Sequence, residues 1–294
     1  MPVPPPSAEA FATAVLRVAR LKLRPVVVKL GGSAMEDPTA TDACLRSVVT
    51  LHHLGFTIAL VHGGGKPIDR AMTAAGLTPR KVAGRRYTDP ATLEIVVRVL
   101  KEINEDLCRR LNALATTPDC HSVMGRPVWN ALAGEPLRLT GSGGESIDLG
   151  RVGAVTEVYY DGILSPIIYG DSHVPVIPSF ASDRDGWLNV NADTAAAAVA
   201  GAMKADKAIF LTDTPGVLRD RANPDSLIPS LSEREARELI TAGMIDGGMV
   251  PKVEACFEAL AAGAKSALIL DGRVPYSLLD VFLRDTFQGT AITR

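Results

Sequence analysis

Val26-Val27-Val28-Lys29-Leu30, followed at once by Gly31-Gly32-Ser33, is an apolar run of strand length broken by one charge and closed by glycines. A helical stretch from about Thr39 to Leu54 comes next, and the same device then recurs, with Phe56 to Val61 running into His62-Gly63-Gly64-Gly65. Strands buried on both faces read as such unbroken apolar runs, and parallel neighbours are joined by right-handed helical crossovers. The pattern extends outward through helices at about Lys66–Ala75 and Ala91–Leu114. The second of these carries Leu93, Val96, Val97, Leu100, Ile103, Leu107 and Leu111 on one side. It resumes with the strand Val174–Ile177, a helix Ala192–Met203 and the strand Lys207–Leu211. Helices near Ser232–Thr241 and Pro251–Ala262, a strand Ser266–Leu270, and a last helix and short strand close the chain. Between Val123 and Val158 the texture changes. Short alternating pieces, Val128-Trp129-Asn130-Ala131 and Arg151–Val158, lie between glycine-rich turns and read as a small antiparallel patch. The expected fold class is α/β, a three-layer αβα sandwich around a mainly parallel open sheet.

The 294 residues are enough for one large domain or two lobes, and the net charge of −2 comes without any long Lys/Arg block. A nucleic-acid partner is therefore not expected, and an anionic ligand would be met by a few placed cations. The four cysteines, Cys44, Cys108, Cys120 and Cys256, are scattered. That spacing suits buried or incidental thiols better than a disulfide framework or a zinc site. The five histidines supply no ligand set, so no protein-held metal is expected. The opening Met-Pro-Val-Pro-Pro-Pro is not a signal sequence, and no apolar run reaches the ~18 residues of a membrane span. The chain reads as cytoplasmic. Residues 7–23 form an amphipathic helix with Phe11, Val15, Leu16, Val18 and Ala19 clustered, able to pack on its own domain or on a second subunit.

Two strands that end in glycines place the chemistry. In open α/β sheets ligands bind beyond the carboxyl ends of the strands, where glycine lets backbone N–H groups approach an anion. One such cluster could be only a tight turn; two, on neighbouring strands, favour anion binding. No P-loop, dinucleotide fingerprint or protein-kinase signature accounts for them, since Pro67 follows Lys66 and G-S-G-G-E-S at 141–146 is incomplete. Lys29 either snorkels to solvent or meets the anion. Lys252, at the start of a helix, opposes the helix dipole and is either a surface lysine or the partner of an anion. In Asn189-Val190-Asn191-Ala192-Asp193-Thr194, ahead of an alanine-rich helix, Asn191 or Asp193 could serve as the N-cap.

Taken in order, V-V-K-L-G-G-S (27–33), V-H-G-G-G (61–65), G-R-R-Y-T-D (84–89), N-V-N-A-D-T-A-A (189–196), F-L-T-D-T-P-G-V-L (210–218), G-G-M-V-P-K-V-E-A-C (247–256) and D-G-R-V-P (271–275) resemble the N-acetylglutamate kinases of arginine biosynthesis. The likeness runs from about Val26 to Ile292. It implies an N-terminal helical extension (1–23), an acyl-amino-acid-binding lobe (24–203) and an ATP-binding lobe (204–294). It implies that Lys29 and Lys252 flank the transferring phosphoryl group, that Asp193 holds both, and that Gly32 and Gly64 donate N–H bonds in catalysis. Arg86 would clamp the α-carboxylate of N-acetyl-L-glutamate, with Gly64, Gly65 and Asn189 beside it. Lys29, Gly31, Gly32, Thr212, Asp213, Gly216, Met249 and Lys252 would surround ATP, used with Mg2+. It further implies a homo-oligomer, a dimer or a hexamer built through the N-terminal helix.

The chain departs from that pattern in two places. The segment G-E-P-L-R-L-T-G-S-G-G-E-S (134–146) stands where the family has G-x-S-G-K-D, which leaves open a related acceptor such as N-acetylaminoadipate or a free amino acid. Leu268, Asp280 and Thr286 replace a histidine, a glutamate and a glycine of the arginine-inhibitor pocket, which leaves arginine control open. A non-catalytic amino-acid sensor is the remaining alternative, against which stands the retention of Lys29, Lys252 and Asp193.

Overall fold

The computed structural model describes residues 7–21, 24–31, 35–116, 124–141, 143–159 and 173–294. Among these, α1 (Ala8–Leu21) precedes β1 (Pro25–Leu30), α2 (Pro38–His53), β2 (Thr57–His62) and α3 (Gly65–Ala74). A short hairpin, β3 (Lys81–Val82) and β4 (Arg85–Arg86), leads into α4 (Pro90–Ala115). Then come β5 (Gly125–Pro127), β6 (Leu132–Pro136), β7 (Leu139–Thr140), β8 (Ser146–Ile147), β9 (Val152–Val158), β10 (Val174–Pro178), β11 (Phe180–Asp183) and β12 (Gly186–Val190). The chain closes with α5 (Ala192–Ala202), β13 (Lys207–Thr212), β14 (Ser230–Ser232), α6 (Glu233–Thr241), α7 (Val250–Ala262), β15 (Ser266–Asp271), α8 (Ser277–Leu283) and β16 (Thr290–Thr293).

Eight strands form one sheet in the order β14-β16-β15-β13-β1-β2-β10-β5, parallel throughout except where β16 runs against β15. From β1 the chain moves outward through β2 to β10, then returns to lay β13 on the other flank of β1. The strand order therefore reverses beside β1, which is where open α/β sheets form a ligand crevice.

Alternation along the strands sorts the core into two layers. Val27, Ala59, Val61, Ala208, Phe210 and Ile269 pack with α5 and α7. Val26, Val28, Leu30, Ile58, Leu60 and Leu211 pack on the other face with α2, α4 and α8. Successive residues of a strand face opposite ways, so Lys29 shares the face of Val27 and points at α5 and α7, while His62 shares the face of Leu60 and points at α4. The three-layer αβα arrangement expected from the sequence is the one observed.

α5 and α7 pack unusually close. A Cβ added to Gly201 would lie 2.4 Å from Ala262 Cβ, so only glycine allows this approach. The first turns of the two helices carry Asp193 and Lys252.

The small patch is a closed ring, β11-β12-β9-β6, with β6/β9 and β11/β12 antiparallel and the remaining two pairings parallel. Arg151 ties it together, donating from Nη2 and Nη1 to the Asp183 carboxylate at 2.7 and 3.0 Å and to the Trp187 carbonyl. The sequence expectation of a strand at Val128–Ala131 is corrected. Those residues form the connection between β5, which joins the main sheet, and β6, which joins the ring.

Val18 of α1 is buried against the α8 side of the core, whereas Val15 and Leu16 are exposed. The helix thus packs on its own domain and still leaves apolar surface uncovered. Cys44, Cys108 and Cys256 are buried free thiols, and Cys120 lies outside the described residues. Among the described residues no helix is long and apolar enough to cross a membrane.

Candidate functional site

Register brings the strand ends level. Lys29 pairs with Phe210 and Val61, Leu30 with His62, and Thr212 with Asp271. Lys29, the glycines after β2 and Thr212 consequently open onto one edge of the sheet.

Asn191 resolves the question of the helix cap. Its side chain accepts from the backbone N–H groups of Asp193 (2.8 Å) and Thr194 (3.2 Å), the ordinary work of an N-cap. Asp193 is thereby released for other partners. Its Oδ1 lies 2.7 Å from Lys29 Nζ and its Oδ2 lies 3.5 Å from Lys252 Nζ. Burial pushes the Asp193 carboxyl up, but the charges of Lys29 and then Lys252 outweigh it, and the net shift is below the usual carboxylate range. The first turn of α5 adds a dipole that also favours the anion. Lys29 does not snorkel: its side chain is only 8% exposed.

Two cavities adjoin here. The first, of about 270 Å³, is lined by Lys29, Gly63, Gly64, Gly65, Ile68, Lys81, Gly84, Arg85, Arg86, Asn189 and Asp193, among others. The second, of about 620 Å³, is lined by Gly65, Lys66, Lys81, Thr212, Asp213, Gly216, Arg221, Met249 and Lys252, among others. Lys29 and Lys252 therefore open into different cavities, yet both are held by one carboxylate, and Gly65 and Lys81 border both spaces. The two ammonium groups mark the boundary. An anion reaching across from the second cavity toward the first would pass between them.

Each cavity has its own character. In the first, Lys29, Lys81, Arg85 and Arg86 face a single lining carboxylate, Asp193, which suits a small anion with more than one carboxylate. Arg86 is largely buried and fixed: it donates to Asp69 Oδ1, to the Gly65 carbonyl at 3.1 Å and to Met72 Sδ at 3.2 Å. Asn189 Nδ2 donates to Thr88 Oγ1 at 3.0 Å, which couples the four-strand ring to the loop after β4. The second cavity is longer and carries Lys66, Lys81, Arg221 and Lys252, with Arg221 paired to Asp246 at its wall.

The glycines fit tightly. A Cβ on Gly31 would lie 3.0 Å from the Leu211 carbonyl and 3.2 Å from Lys29 Nζ, so a side chain there would press on the ammonium. Gly64 rests on Leu100, Ile68 and Ile103. Gly216, at φ +143°, adopts a conformation that other residues rarely reach. Gly32 lies outside the described residues.

Of the residues expected from sequence, Lys29, Asp193, Gly64, Gly65, Arg86 and Asn189 meet at the first cavity, and Thr212, Asp213, Gly216, Met249 and Lys252 at the second. Lys81 and Arg85 were not foreseen. They ride on the β3–β4 hairpin, whose turn residues Ala83 (φ 48°) and Gly84 (φ 74°) are both left-handed as a two-residue hairpin turn requires. The available signal was the V-A-G-R turn at 82–85.

Residues 24–271 match the sequence pattern of the amino acid kinase family. An acetylglutamate kinase of Trichodesmium erythraeum is 41% identical over 272 residues, covering 92% of this chain and 89% of that protein. One from Anaeromyxobacter dehalogenans is 39% identical over 273 residues, covering 92% of this chain and all of that protein. Among solved structures, the N-acetylglutamate synthase of Neisseria gonorrhoeae, complexed with coenzyme A and N-acetyl-glutamate, shares the fold with a TM-score of 0.81 at 24% identity, and 99% of this chain spans 64% of that one. Carbamate kinase from Giardia lamblia bound to AMP-PNP follows at a TM-score of 0.65 and 16% identity, covering 92% of this chain and 99% of that one. With a family pattern across most of its length and relatives at about two-fifths identity, this chain belongs to the amino acid kinase family.

Proposed function

We propose that this chain transfers the γ-phosphoryl group of ATP to the γ-carboxylate of N-acetyl-L-glutamate, giving an acyl phosphate and ADP in arginine biosynthesis. The observation that carries the reading is the Asp193 carboxylate holding Lys29 and Lys252 at the boundary between a small cation-lined cavity and a larger one. The relatives named acetylglutamate kinase supply the acceptor.

The acceptor needs no general base, because a γ-carboxylate of pKa ~4.3 is already ionised at neutral pH. The obstacle is repulsion between that carboxylate and the triphosphate. In this reading Arg86 grips the α-carboxylate through its planar fork, and Asn189 borders the same molecule. Lys29 and Lys252 lie along the transferring group and offset the charge that spreads over its oxygens, while Gly64 and Gly32 donate N–H bonds. Catalysis is then alignment and charge compensation.

The first cavity is lined wholly by residues within 24–203 and the second mainly by residues 212–252, which supports an acceptor lobe followed by a nucleotide lobe. Gly31, Thr212, Asp213, Gly216 and Met249 would border ATP. Among the described residues no three His, Cys, Asp or Glu side chains converge on one point. Magnesium would arrive on the triphosphate, where it neutralises phosphate charge. The chain would form a homo-oligomer, a dimer or a hexamer, and the hexamer would use the exposed Val15 and Leu16 of α1.

The test is an acceptor panel with ATP and Mg2+, trapping acyl phosphate as hydroxamate. N-acetylglutamate should be the preferred acceptor over N-acetylaminoadipate, glutamate, aspartate and carbamate. Faster reaction with another acceptor would change the substrate, and ADP formation indifferent to every acceptor would point to a sensor.

A further inference from the structure

A buried polar chain runs from β10 to the glycine turn and has no part in the chemistry described above. Asn104 of α4 and His62 of β2 are both fully buried. Asn104 Nδ2 lies 2.9 Å from the Val176 carbonyl and 3.0 Å from His62 Nε2, and His62 Nδ1 lies 3.3 Å from the Gly63 carbonyl.

The contacts fix every proton. A carbonyl oxygen only accepts, so the Asn104 atom facing Val176 is its NH2 group. The second hydrogen of that group is then donated to His62 Nε2, which must carry a lone pair. The proton of the neutral ring sits on Nδ1 and is donated to the Gly63 carbonyl. Burial depresses the His62 pKa to about 4, so the ring is neutral wherever the chain would work. Among the described residues no backbone N–H donates to the Gly63 carbonyl, and Pro67, four residues on, has none to give.

This chain decides where the next N–H points. In a trans peptide the C=O of one residue and the N–H of the next are antiparallel, and no cis peptide occurs among the described residues. With the Gly63 carbonyl turned inward to His62, the Gly64 N–H is turned outward. Gly63, Gly64 and Gly65 line the first cavity, and among the described residues no acceptor receives that N–H. A glycine peptide without such a tether has little to prevent it from rotating.

We infer that His62 and Asn104 are positioning residues: they lock the Gly63–Gly64 peptide so that the Gly64 N–H faces the group being transferred. The inference rests on the proposed phosphoryl transfer. It assigns to the histidine of V-H-G-G-G a role in which it touches neither substrate.

Two variants separate this role from simple packing. In H62N the amide NH2 falls where Nδ1 stood and can still donate to Gly63; in H62Q the amide falls near Nε2, where its oxygen can accept from Asn104, and Gly63 is left alone. H62Q should lower kcat by about tenfold or more, with both KM values within about threefold of the parent, since the N–H serves the transition state more than the ground state. H62N should keep kcat within about threefold of the parent. Turnover of folded H62Q within about twofold of the parent would overturn the inference. So would equal losses in H62Q and H62N that follow their melting temperatures. If H62Q does not fold, N104L reads the chain from its other end: it frees the tautomer and should lower kcat at unchanged KM, and unchanged kcat overturns the inference. Failure of the unmodified chain to make acyl phosphate from N-acetylglutamate would instead defeat the proposed function, so the two failures are distinguishable.

Discussion

Lys29 Nζ stands 2.7 Å from Asp193 Oδ1, and the two side chains are 8% and 9% exposed. The pair is set up by a strand whose odd face looks at α5 and by a helix whose cap, Asn191, frees the second residue of its first turn. Removing one member leaves the other charged, buried and uncompensated, which costs about 3–5 kcal/mol. D193L should therefore shift the urea midpoint sharply down. The double variant K29M/D193L should recover much of that stability, because two apolar side chains replace the ions and Lys252 can turn to water. Neither variant should support turnover. A D193L protein as stable as the parent would show that the pair carries no buried charge.

Lys252 makes the contrasting case. Its side chain is 21% exposed and it meets the same carboxylate at 3.5 Å. A long, partly solvated ion pair contributes about 1 kcal/mol or less to stability. If the residue nonetheless offsets charge on the transferring group, its loss should lower kcat by about 10²–10³. K252A should melt near the parent temperature and turn over on that much lower scale. Near-normal turnover would remove Lys252 from the mechanism.

Arg86 is expected to act on binding. Its guanidinium is preset by Asp69, the Gly65 carbonyl and Met72. Bidentate recognition depends on that planar fork, so R86K should behave almost as badly as R86A. Both should raise the KM for N-acetylglutamate about tenfold to a hundredfold while changing the KM for ATP little. An equal rise for both substrates would move Arg86 out of the acceptor cavity.

What could be read from the sequence follows from the length scale of the signal. Val26–Leu30 announced a buried strand because four apolar residues in five need no partner to be recognised, and Lys29 stood out against them. The direction in which Lys29 points was equally implicit, since Val27 and Lys29 share a face. The choice between Asn191 and Asp193 as cap could not be made, because both side chains are chemically suited and only the backbone angle at Asn191 decides. The β3–β4 hairpin was missed for the opposite reason. Two strands of two residues each have no periodicity, and its identity rests on positive φ at Ala83, a residue with no preference for that region. Val128 and Ala131 misled because both are buried without belonging to a strand.

His62 supplies a prediction in pH. Its folded pKa is about 4 against an ordinary value of 6.5, and the cause is burial, which penalises the charged ring. Above pH 6.5 the ring is neutral folded or unfolded, and pH does not touch stability through it. Below that value the unfolded chain takes up a proton that the folded one refuses, so stability falls as pH drops, until the folded ring also protonates near pH 4. The gap of roughly 2.5 units corresponds to about 3 kcal/mol. In H62N that dependence should be missing. Urea denaturation of the parent and of H62N at pH 7.5 and at pH 4.5 isolates it, because every other titrating group is common to both. The parent should lose about 2–3 kcal/mol more than the variant between the two conditions. Parallel losses would mean that the folded ring takes up its proton at the same pH as the unfolded one, and His62 Nε2 would then not be held as the acceptor for Asn104.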